Sequence, residues 1–409
     1  MESKKANNVF KIVMLIFLTA FITFIITVPA TYKYIDRNSY KIKSKNISNI
    51  TSNSETSTLE GTLANFRSVL EQKYVGEIND DELIESAIKG YVAGLGDPYT
   101  EYLTVSEMET LQEETEGEYI GIGVYITNDT INNNIVILRT IGNSPAYTSG
   151  LLPGDIIKNI DGIEYTGEQL NEASKILKGK EGTEVKILII RDGKEQEITI
   201  TREKIKLICV NSKIVNNNVG YLRITSFDGN CAKEFYEKYE ELEKQGIKSL
   251  IIDLRFNGGG MVNEALDIAD LTVEKDKTLL ITKSKNKEEV ITRAQREQII
   301  KVPIIVLVNE YSASASEILT GILKEVNGAT IIGKNTYGKG VIQTVYSLSD
   351  GSGLKITTDE YFTPNHNTIN KVGIKPDVEI ELPEKWRYFS GDIPEKEDTQ
   401  LQKALELLK

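Results

Sequence analysis

The chain has 409 residues, enough for two or three domains with a real hydrophobic core. Its formal net charge is −12 and no basic stripe is visible, which excludes a nucleic-acid-binding protein. A single histidine and two cysteines cannot supply the usual nitrogen and sulfur ligands of zinc, so we expect neither a metal nor a cofactor. The cysteines, Cys209 and Cys231, could pair outside the cytoplasm, and the sequence leaves that open.

The amino-terminal segment, residues 1–58, is predicted to anchor the chain in a membrane. Residues 12–30 form an uncharged apolar run that is long enough to span a bilayer and longer than a usual signal-peptide core. We expect a single-pass, uncleaved signal anchor in the cell membrane, with the bulk of the chain outside the cytoplasm. A cleaved, secreted form remains an alternative. Residues 36–57 are rich in Asn, Ser and Lys and predict a tether.

Residues 59–117 are predicted to form a helical segment. Apolar residues recur at helical spacing between Leu63 and Tyr102, in two stripes. One stripe contains Leu63, Phe66, Leu70 and Tyr74, and the other contains Leu83, Ile84, Ala87, Ile88 and Tyr91.

Residues 118–202 alternate short strands with glycine turns and resemble a PDZ domain, with a helix predicted at residues 168–177. The turn formed by Gly121, Ile122 and Gly123 can aim successive N–H groups at a terminal carboxylate while a peptide adds as a strand to the sheet edge. The alternative is an ordinary Gly-x-Gly turn. A dinucleotide fingerprint is excluded because the third glycine and the following helix are absent.

Residues 203–390 are predicted to form an α/β core. Three apolar segments, residues 219–227, 247–254 and 303–308, are expected to be strands, and residues 232–245 an amphipathic helix. Residues 391–409 end in a helical pattern that predicts a small helix docking back onto the core.

A serine-rich turn lies between a buried strand and a helix in this core. Residues 304–308 are continuously apolar and mostly β-branched, small residues follow, and a helix is expected over 317–326, where Gly328 stops it. Several hydrolases expose a nucleophile in such a turn at the carboxyl edge of a sheet. Ser314 is the candidate nucleophile.

The base for such a serine is predicted to be a lysine. The single histidine, His366, lies in a polar segment that does not resemble a triad setting. Lys339 is flanked by glycines, and Gln343 would face the same way if a strand begins at Lys339. A neutral amine requires the lysine pKa to fall by roughly three units from about 10.4, and burial is the plausible cause.

Backbone N–H groups for an oxyanion are expected from Ala315 and from the loop that contains Gly258 and Gly259. A simpler interpretation of the serine stays open, because Ser314-x-x-Glu317 also matches a capping box. Lys339 could likewise be an ordinary surface lysine.

Three motifs together resemble the carboxy-terminal processing (tail-specific) proteases, which are Ser/Lys peptidases. They are the segments 254–260 (LRFNGGG), 312–317 (SASASE) and 337–340 (YGKG) with Gln343, and the likeness extends from about Leu63 to the carboxyl end. The resemblance implies Ser314 as nucleophile, Lys339 as general base and Gln343 as its orienting partner. It also implies a ClpP/crotonase-like core, a mixed sheet with helices, carrying an inserted PDZ domain. Homodimers formed through the amino-terminal helices are a further implication.

The sequence therefore predicts a membrane-anchored, extracytoplasmic serine endopeptidase. Its PDZ domain would bind proteins or peptides with exposed carboxyl termini, and cleavage would proceed through an acyl-enzyme. The alternative is a catalytically inactive PDZ scaffold. A histidine-based PDZ protease of the chymotrypsin type is disfavoured, because the sequence has no histidine and aspartate upstream of a Gly-x-Ser-Gly turn.

Overall fold

The computed structural model describes residues 58–216, 218–388 and 391–409. The described residues divide into two units, with the boundary between Leu83 and Ile84. The predicted membrane anchor at residues 12–30 and the tether at 36–57 lie outside the described residues. Among the helices of the described part, none combines the length and the apolar character needed to cross a bilayer.

The predicted helical segment consists of short helices rather than one continuous pattern. Helix α1 (Leu59–Lys73) begins at Thr58, whose side chain accepts from Gly61 N–H, and α2 (Asp80–Ala93) follows. The prediction of helix up to Tyr102 was wrong, because Gly96 adopts a φ of 71° and Pro98 restricts the chain, so a turn leads into strand β1 (Glu101–Leu103). Helix α3 (Val105–Glu116) then ends at Gly117, which has a φ of 67°.

The PDZ segment is an antiparallel sheet with two helices. The sheet order is β3-β4-β5-β7-β8 with β6 on β5, and β2 pairs separately with β9. Strand β3 therefore lies at one edge of this sheet. The elements are β2 (Glu118–Gly121), β3 (Val124–Asp129), β4 (Asn134–Thr140), α4 (Pro145–Thr148), β5 (Ile156–Ile160), β6 (Ile163–Glu164), α5 (Leu170–Leu177), β7 (Glu184–Arg191), β8 (Lys194–Thr201) and β9 (Glu203–Lys206).

The α/β core is built on a six-stranded sheet in the order β10-β11-β12-β15-β16-β19, parallel except for the β10–β11 pair. Its central strands are fully buried, as their continuous apolar runs predict. The strands are β10 (Val210–Val215), β11 (Val219–Ile224), β12 (Ser249–Asp253), β15 (Ile304–Val308), β16 (Thr330–Gly333) and β19 (Val378–Glu379).

Helices cover both faces of this sheet, so the predicted mixed sheet with helices is confirmed. Buried side chains of α6 (Cys231–Lys244), α7 (Val262–Asp270) and α8 (Ala315–Ile322) pack on one face. Leu401, Ala404 and Leu405 of the carboxy-terminal helix α9 (Thr399–Leu407) pack on the other. Helix α8 continues as a π-helical turn, Leu323–Asn327, and ends at Gly328 with a φ of 80°.

A second sheet pairs strands that are far apart in the sequence. Strand β1 pairs with β18, which also pairs with β13 and β17, and β14 pairs with β13. The strands are β13 (Thr278–Ser284), β14 (Val290–Arg293), β17 (Val341–Ser347) and β18 (Gly353–Phe362).

Candidate active site

Ser314 lies where the buried strand β15 turns into helix α8. It has a φ of 56° and a ψ of −117°, a sparsely populated conformation for a residue with a side chain, and it is 9% exposed. Such backbone strain concentrates at functional sites. The turn is therefore of the kind that exposes a nucleophile.

The turn is fastened to the glycine loop that follows β12. Ser312 Oγ donates to the carbonyl of Leu254 at 2.8 Å, and Ser316 Oγ donates to the carbonyl of Asn257 at 2.9 Å. Gly259 has a φ of 111°, and a Cβ added there would lie 2.8 Å from Ser314 Cβ. Only glycine therefore allows this close approach of the loop to the serine.

The N–H groups predicted to bind an oxyanion differ in the hydrogen bonds that they make in the structure. Ala315 N–H belongs to the first turn of α8, where backbone N–H groups have no acceptor within the helix. Gly258 is exposed, whereas Gly259 N–H donates to the buried Asn257 Oδ1 at 2.8 Å. Donation by Gly259 to an oxyanion would require the Asn257 amide to release it.

Glu317 joins the serine turn to the loop that contains Lys339, residues 334–340, here named the lysine loop. Sequence reasoning missed this role because it treated Glu317 only as a capping residue. Its fully buried carboxylate accepts from Ser314 N–H at 3.0 Å and from Lys339 N–H at 2.8 Å. Gly338 N–H and Thr336 Oγ1 donate to the same carboxylate at 2.7 and 2.6 Å. Burial raises the pKa of Glu317, and these hydrogen bonds oppose the rise.

The buried phenol of Tyr361, on β18, makes the same connection from another side. Its hydroxyl donates towards the carbonyl of Ser314 at 3.2 Å and also contacts the carbonyl of Lys339. One phenol and one carboxylate thus fix the backbone of the serine turn against that of the lysine loop. No local sequence signal points to Tyr361, because β18 reaches the site only through sheet pairing.

The Lys339 side chain is half-buried, and burial lowers its pKa, the direction that a general base requires. The positive charge of Lys355 lowers this pKa further, whereas Asp97, Glu101 and Glu317 act in the opposite direction. The Nζ atom lies over the ring of Tyr99, 4.7 Å from its centroid. Neither Asp97 nor Tyr99 was a sequence candidate.

Gln343 lies on β17. The argument that it shares a face with Lys339 assumed that this strand begins at Lys339, which it does not. The strand begins at Val341 rather than at Lys339, and its register shifts between Ile342 and Gln343. The Gln343 amide donates to Thr357 Oγ1 at 3.1 Å. The role of Gln343 as orienting partner therefore stays a prediction.

A pocket of about 50 Å³ lies beside the predicted peptide-binding turn. Gly123 has a φ of 83°, and an added Cβ would lie 2.3 Å from Ser144 Cβ, so this position needs glycine. The Ile122 and Gly123 carbonyls accept from Ala146 and Ile141 N–H groups at 2.8 and 2.9 Å. The pocket is lined by Tyr119, Ile122, Gly123, Val124, Ile126, Ser174, Leu177 and Lys178.

A buried ionic cluster lies behind the glycine loop. Arg255 donates to Asp253 and, through Nη1 and Nη2, to Asp398 at 2.9 and 2.7 Å. Because Asp398 is the N-cap of α9, the carboxy-terminal helix is tied to the loop beside Ser314. Tyr221 OH completes the cluster by donating to Asp253 at 2.5 Å.

The remaining polar candidates lie away from these contacts. His366 is half-exposed and stacks on Phe362, with ring centroids 4.7 Å apart, while its Nε2 contacts Glu289 at 3.0 Å. Cys209 and Cys231 are buried, and both thiols are free.

Comparisons with known proteins agree with this architecture. The family model of Peptidase family S41 matches residues 218–380, the PDZ domain model matches 118–201, and the model of the activating protease CtpB N-terminal domain matches 21–107. A putative S41 protease from Bacteroides fragilis NCTC 9343 has the same fold, with a TM-score of 0.53, 17% identity, and 83% of this chain and 96% of that chain covered.

Relatives of known class share more of the sequence. The carboxy-terminal processing protease CtpA of Bacillus subtilis (strain 168) is 35% identical over 326 residues, which cover 79% of this chain and 70% of the relative. A probable CtpA-like serine protease of Staphylococcus aureus (strain COL) is 35% identical over 367 residues, covering 89% of this chain and 71% of the relative. The chain belongs to the carboxy-terminal processing protease family, serine-type peptidases that carry a PDZ domain.

Proposed function

We propose that the protein is an endopeptidase that cleaves with a Ser314–Lys339 dyad. The observation that carries this proposal is the double connection of the two backbones, through the Glu317 carboxylate and the Tyr361 hydroxyl. Burial lowers the pKa of the half-buried Lys339, and this is the direction that favours a neutral amine as the base.

In this proposal, Ser314 Oγ attacks the carbonyl carbon of the scissile peptide while the neutral Lys339 amine takes the hydroxyl proton. The negative charge on the carbonyl oxygen is stabilised by Ala315 N–H and by the loop at Gly258 and Gly259. Each such donor contributes about 3 to 4 kcal/mol of barrier reduction. Lys339 then returns the proton to the leaving amine, and water cleaves the acyl-enzyme with Lys339 again acting as base.

Alanine substitution tests the dyad. Ser314→Ala and Lys339→Ala should abolish cleavage of an unfolded protein substrate while leaving thermal unfolding cooperative, and Lys339→Arg should be equally inactive because arginine stays charged. The matched controls are Ser347→Ala and Lys334→Ala, an exposed serine and a lysine paired with surface carboxylates. Full activity in Ser314→Ala or Lys339→Ala would refute the dyad.

We also propose that the PDZ segment, residues 118–202, binds the carboxyl terminus of the substrate through Gly121, Ile122 and Gly123. The edge position of β3 and the pocket beside this turn support addition of a peptide strand there. A peptide with a free carboxylate should bind at least about tenfold more tightly than the same peptide amidated, as measured by fluorescence anisotropy on Ser314→Ala protein. Equal affinities would contradict this mode of recognition.

The remaining parts of the proposal concern location and assembly. We propose residues 1–58 as cytoplasmic tail, membrane anchor and tether, with the helical segment 59–117, the protease core 203–390 and the tail 391–409 outside the cytoplasm. Trypsin added to intact cells should digest the protease domain, and removal of residues 1–58 should release it into the soluble fraction. Protection from trypsin in intact cells, with digestion only after lysis, would contradict the orientation.

A homodimer through the amino-terminal helices is supported by α1, which has no buried residue. Its apolar side chains Leu63, Phe66 and Leu70 are between 39% and 57% exposed. Sedimentation of residues 59–409 should give a dimer, and Phe66→Glu should give a monomer. A monomer at all concentrations for the unmodified protein would remove this part of the proposal.

A further inference from the structure

The segment between α2 and β1 lies against the side chain of Lys339. Strand β1 pairs with β18, with Glu101 opposite Lys355 and Leu103 opposite Gly353. Strand β18 also pairs with β17, which begins directly after the lysine loop. The four residues that precede β1, residues 97–100, are here named the lysine strap. The pairing of β1 with β18 places this strap beside the site, although it is more than 200 residues away from Lys339 in the sequence.

Hydrogen bonds give the lysine strap a fixed local conformation. Asp97 Oδ1 accepts from Tyr99 N–H at 3.1 Å, and Asp97 Oδ2 accepts from Thr100 Oγ1 at 2.6 Å. Thr100 Oγ1 in turn accepts from Thr357 N–H at 3.0 Å on β18. The strap is therefore tied to the same strand position whose side chain receives the Gln343 amide.

Tyr99 contacts the side chain of Lys339. Its ring lies under Lys339 Nζ, which is 4.7 Å from the ring centroid. A cation over an aromatic face is stabilised by about 0.5 to 2 kcal/mol, depending on its desolvation. This contact fixes the position of the amine and favours its charged form.

Charged groups from several elements act on the pKa of the same amine. Asp97 belongs to the strap, Glu101 to β1, Glu317 to α8 and Lys355 to β18. Burial and Lys355 lower the pKa of Lys339, whereas the three carboxylates raise it. Glu101 is already paired with Lys355 at 2.9 Å, and Glu317 with four donors at the backbone loops, which leaves Asp97 as the carboxylate contributed by the strap itself.

We propose that Asp97 and Tyr99 are positioning residues for the base: Tyr99 holds the Lys339 amine in place with its ring, and Asp97 fixes the strap through Tyr99 N–H and Thr100 Oγ1 while adding a negative charge to the surroundings of the amine. The inference rests on the proposed role of Lys339. Asp97 raises the pKa of Lys339, so removal of its charge lowers this pKa. The lysine then loses its proton more easily. The acid limb of the pH profile, where activity rises as the base deprotonates, then moves to lower pH.

Asp97→Asn tests the electrostatic part. The midpoint of the acid limb of kcat/KM should fall by about half a pH unit, because a carboxylate near an amine favours its protonated form and removal of that charge favours the neutral form. The control is Asp350→Asn, because Asp350 accepts from Ser352 N–H and Ser352 Oγ in a similar turn away from the lysine. Its profile should match that of the unmodified protein.

Tyr99→Leu and Tyr99→Phe test the positioning part. Phenylalanine keeps the ring and should retain most activity, whereas leucine should lower kcat at least about tenfold, since a catalytic group displaced by about 1 Å can lose on the order of 100-fold in rate. If Asp97→Asn does not fold, the tyrosine pair decides alone, and equal kcat values for the two variants overturn the proposal.

Different experimental results would refute the Ser314–Lys339 dyad and the role of the lysine strap. Cleavage by Ser314→Ala or Lys339→Ala would remove the proposed function itself. Cleavage that depends on both residues, with Asp97→Asn and Tyr99→Leu profiles superimposable on that of the unmodified protein, would overturn only the role of the lysine strap. Direct titration of the Lys339 side chain by ¹³C-lysine NMR in Ser314→Ala protein should show the same shift on Asp97→Asn.

Discussion

Replacement of Glu317 by glutamine should uncouple the serine turn from the lysine loop. One carboxylate oxygen accepts from Thr336 Oγ1 and Gly338 N–H, and the other accepts from Ser314 and Lys339 N–H groups. Glutamine replaces one oxygen by an NH₂ group, which is itself a donor. Whichever way the amide turns, two buried donors lose their acceptor.

The magnitude follows from the two lost hydrogen bonds. A hydrogen bond to a charged group contributes about 1.5 to 3 kcal/mol, and a buried donor without a partner costs about 1 to 3 kcal/mol. With partial relaxation of the loops, we expect Glu317→Gln to lower the free energy of unfolding by about 2 to 5 kcal/mol. The rate of acylation should fall on the order of 100-fold, because the nucleophile and base no longer share a fixed frame.

Urea unfolding and labelling by a fluorophosphonate measure these two effects separately. Glu325→Gln is the matched control, because Glu325 follows α8 in the π-helical turn and accepts from Asn365 N–H and Asn367 Nδ2 outside the site. That variant should label at the unmodified rate. A stable Glu317→Gln protein that also labels at the unmodified rate would refute the argument that this carboxylate aligns the two loops.

Three further predictions concern other contacts. Gly259→Ala should abolish cleavage, because its Cβ would overlap the serine turn, whereas Gly258→Ala should be tolerated because no atom lies within 4 Å of that Cβ; peptide hydrolysis checks both. Asp398→Asn should lower the free energy of unfolding by about 3 to 5 kcal/mol by leaving a buried guanidinium poorly paired, and the exposed Asp392→Asn by less than about 0.5 kcal/mol. In an NMR titration, His366 should show a midpoint above its ordinary value of about 6.5, because Glu289 favours the charged ring, and Glu289→Gln should lower it.

Features encoded by local residues were predictable from the sequence. The continuous apolar run of β15, the small residues after it and Gly328 at the end of the helical pattern place Ser314 between a buried strand and a helix. The glycine loop follows from its composition, and Gly259 is indeed the residue that allows close approach to the serine. In each case a few neighbouring residues contain the necessary information.

Contacts between distant parts of the chain were not predictable in this way. The parity argument for Gln343 assumed a strand that begins at Lys339, whereas β17 begins at Val341 and its register shifts after Ile342, so a place for Gln343 beside Lys339 stays a prediction. The pairing of β1 with β18 joins segments such as Glu101 and Lys355 that are far apart in sequence, so Tyr99 could not be placed near the lysine. Glu317 was assigned a local capping role because its other partners come from a loop beyond the next strand.

The environment of Lys339 suggests why a base of this kind depends on remote segments. Burial alone lowers the pKa of a lysine, but the same burial would leave a charged amine without partners whenever the proton is bound. The ring of Tyr99 and the negative charges of nearby carboxylates stabilise the protonated form, and the carboxylates raise the pKa again. A working base therefore requires a balance between burial, which lowers the pKa of the lysine, and negative charges, which raise it. The charged groups that change this balance belong to the strap, β1, α8 and β18. Substitution of Asp97 in the strap should consequently change the pH dependence of cleavage.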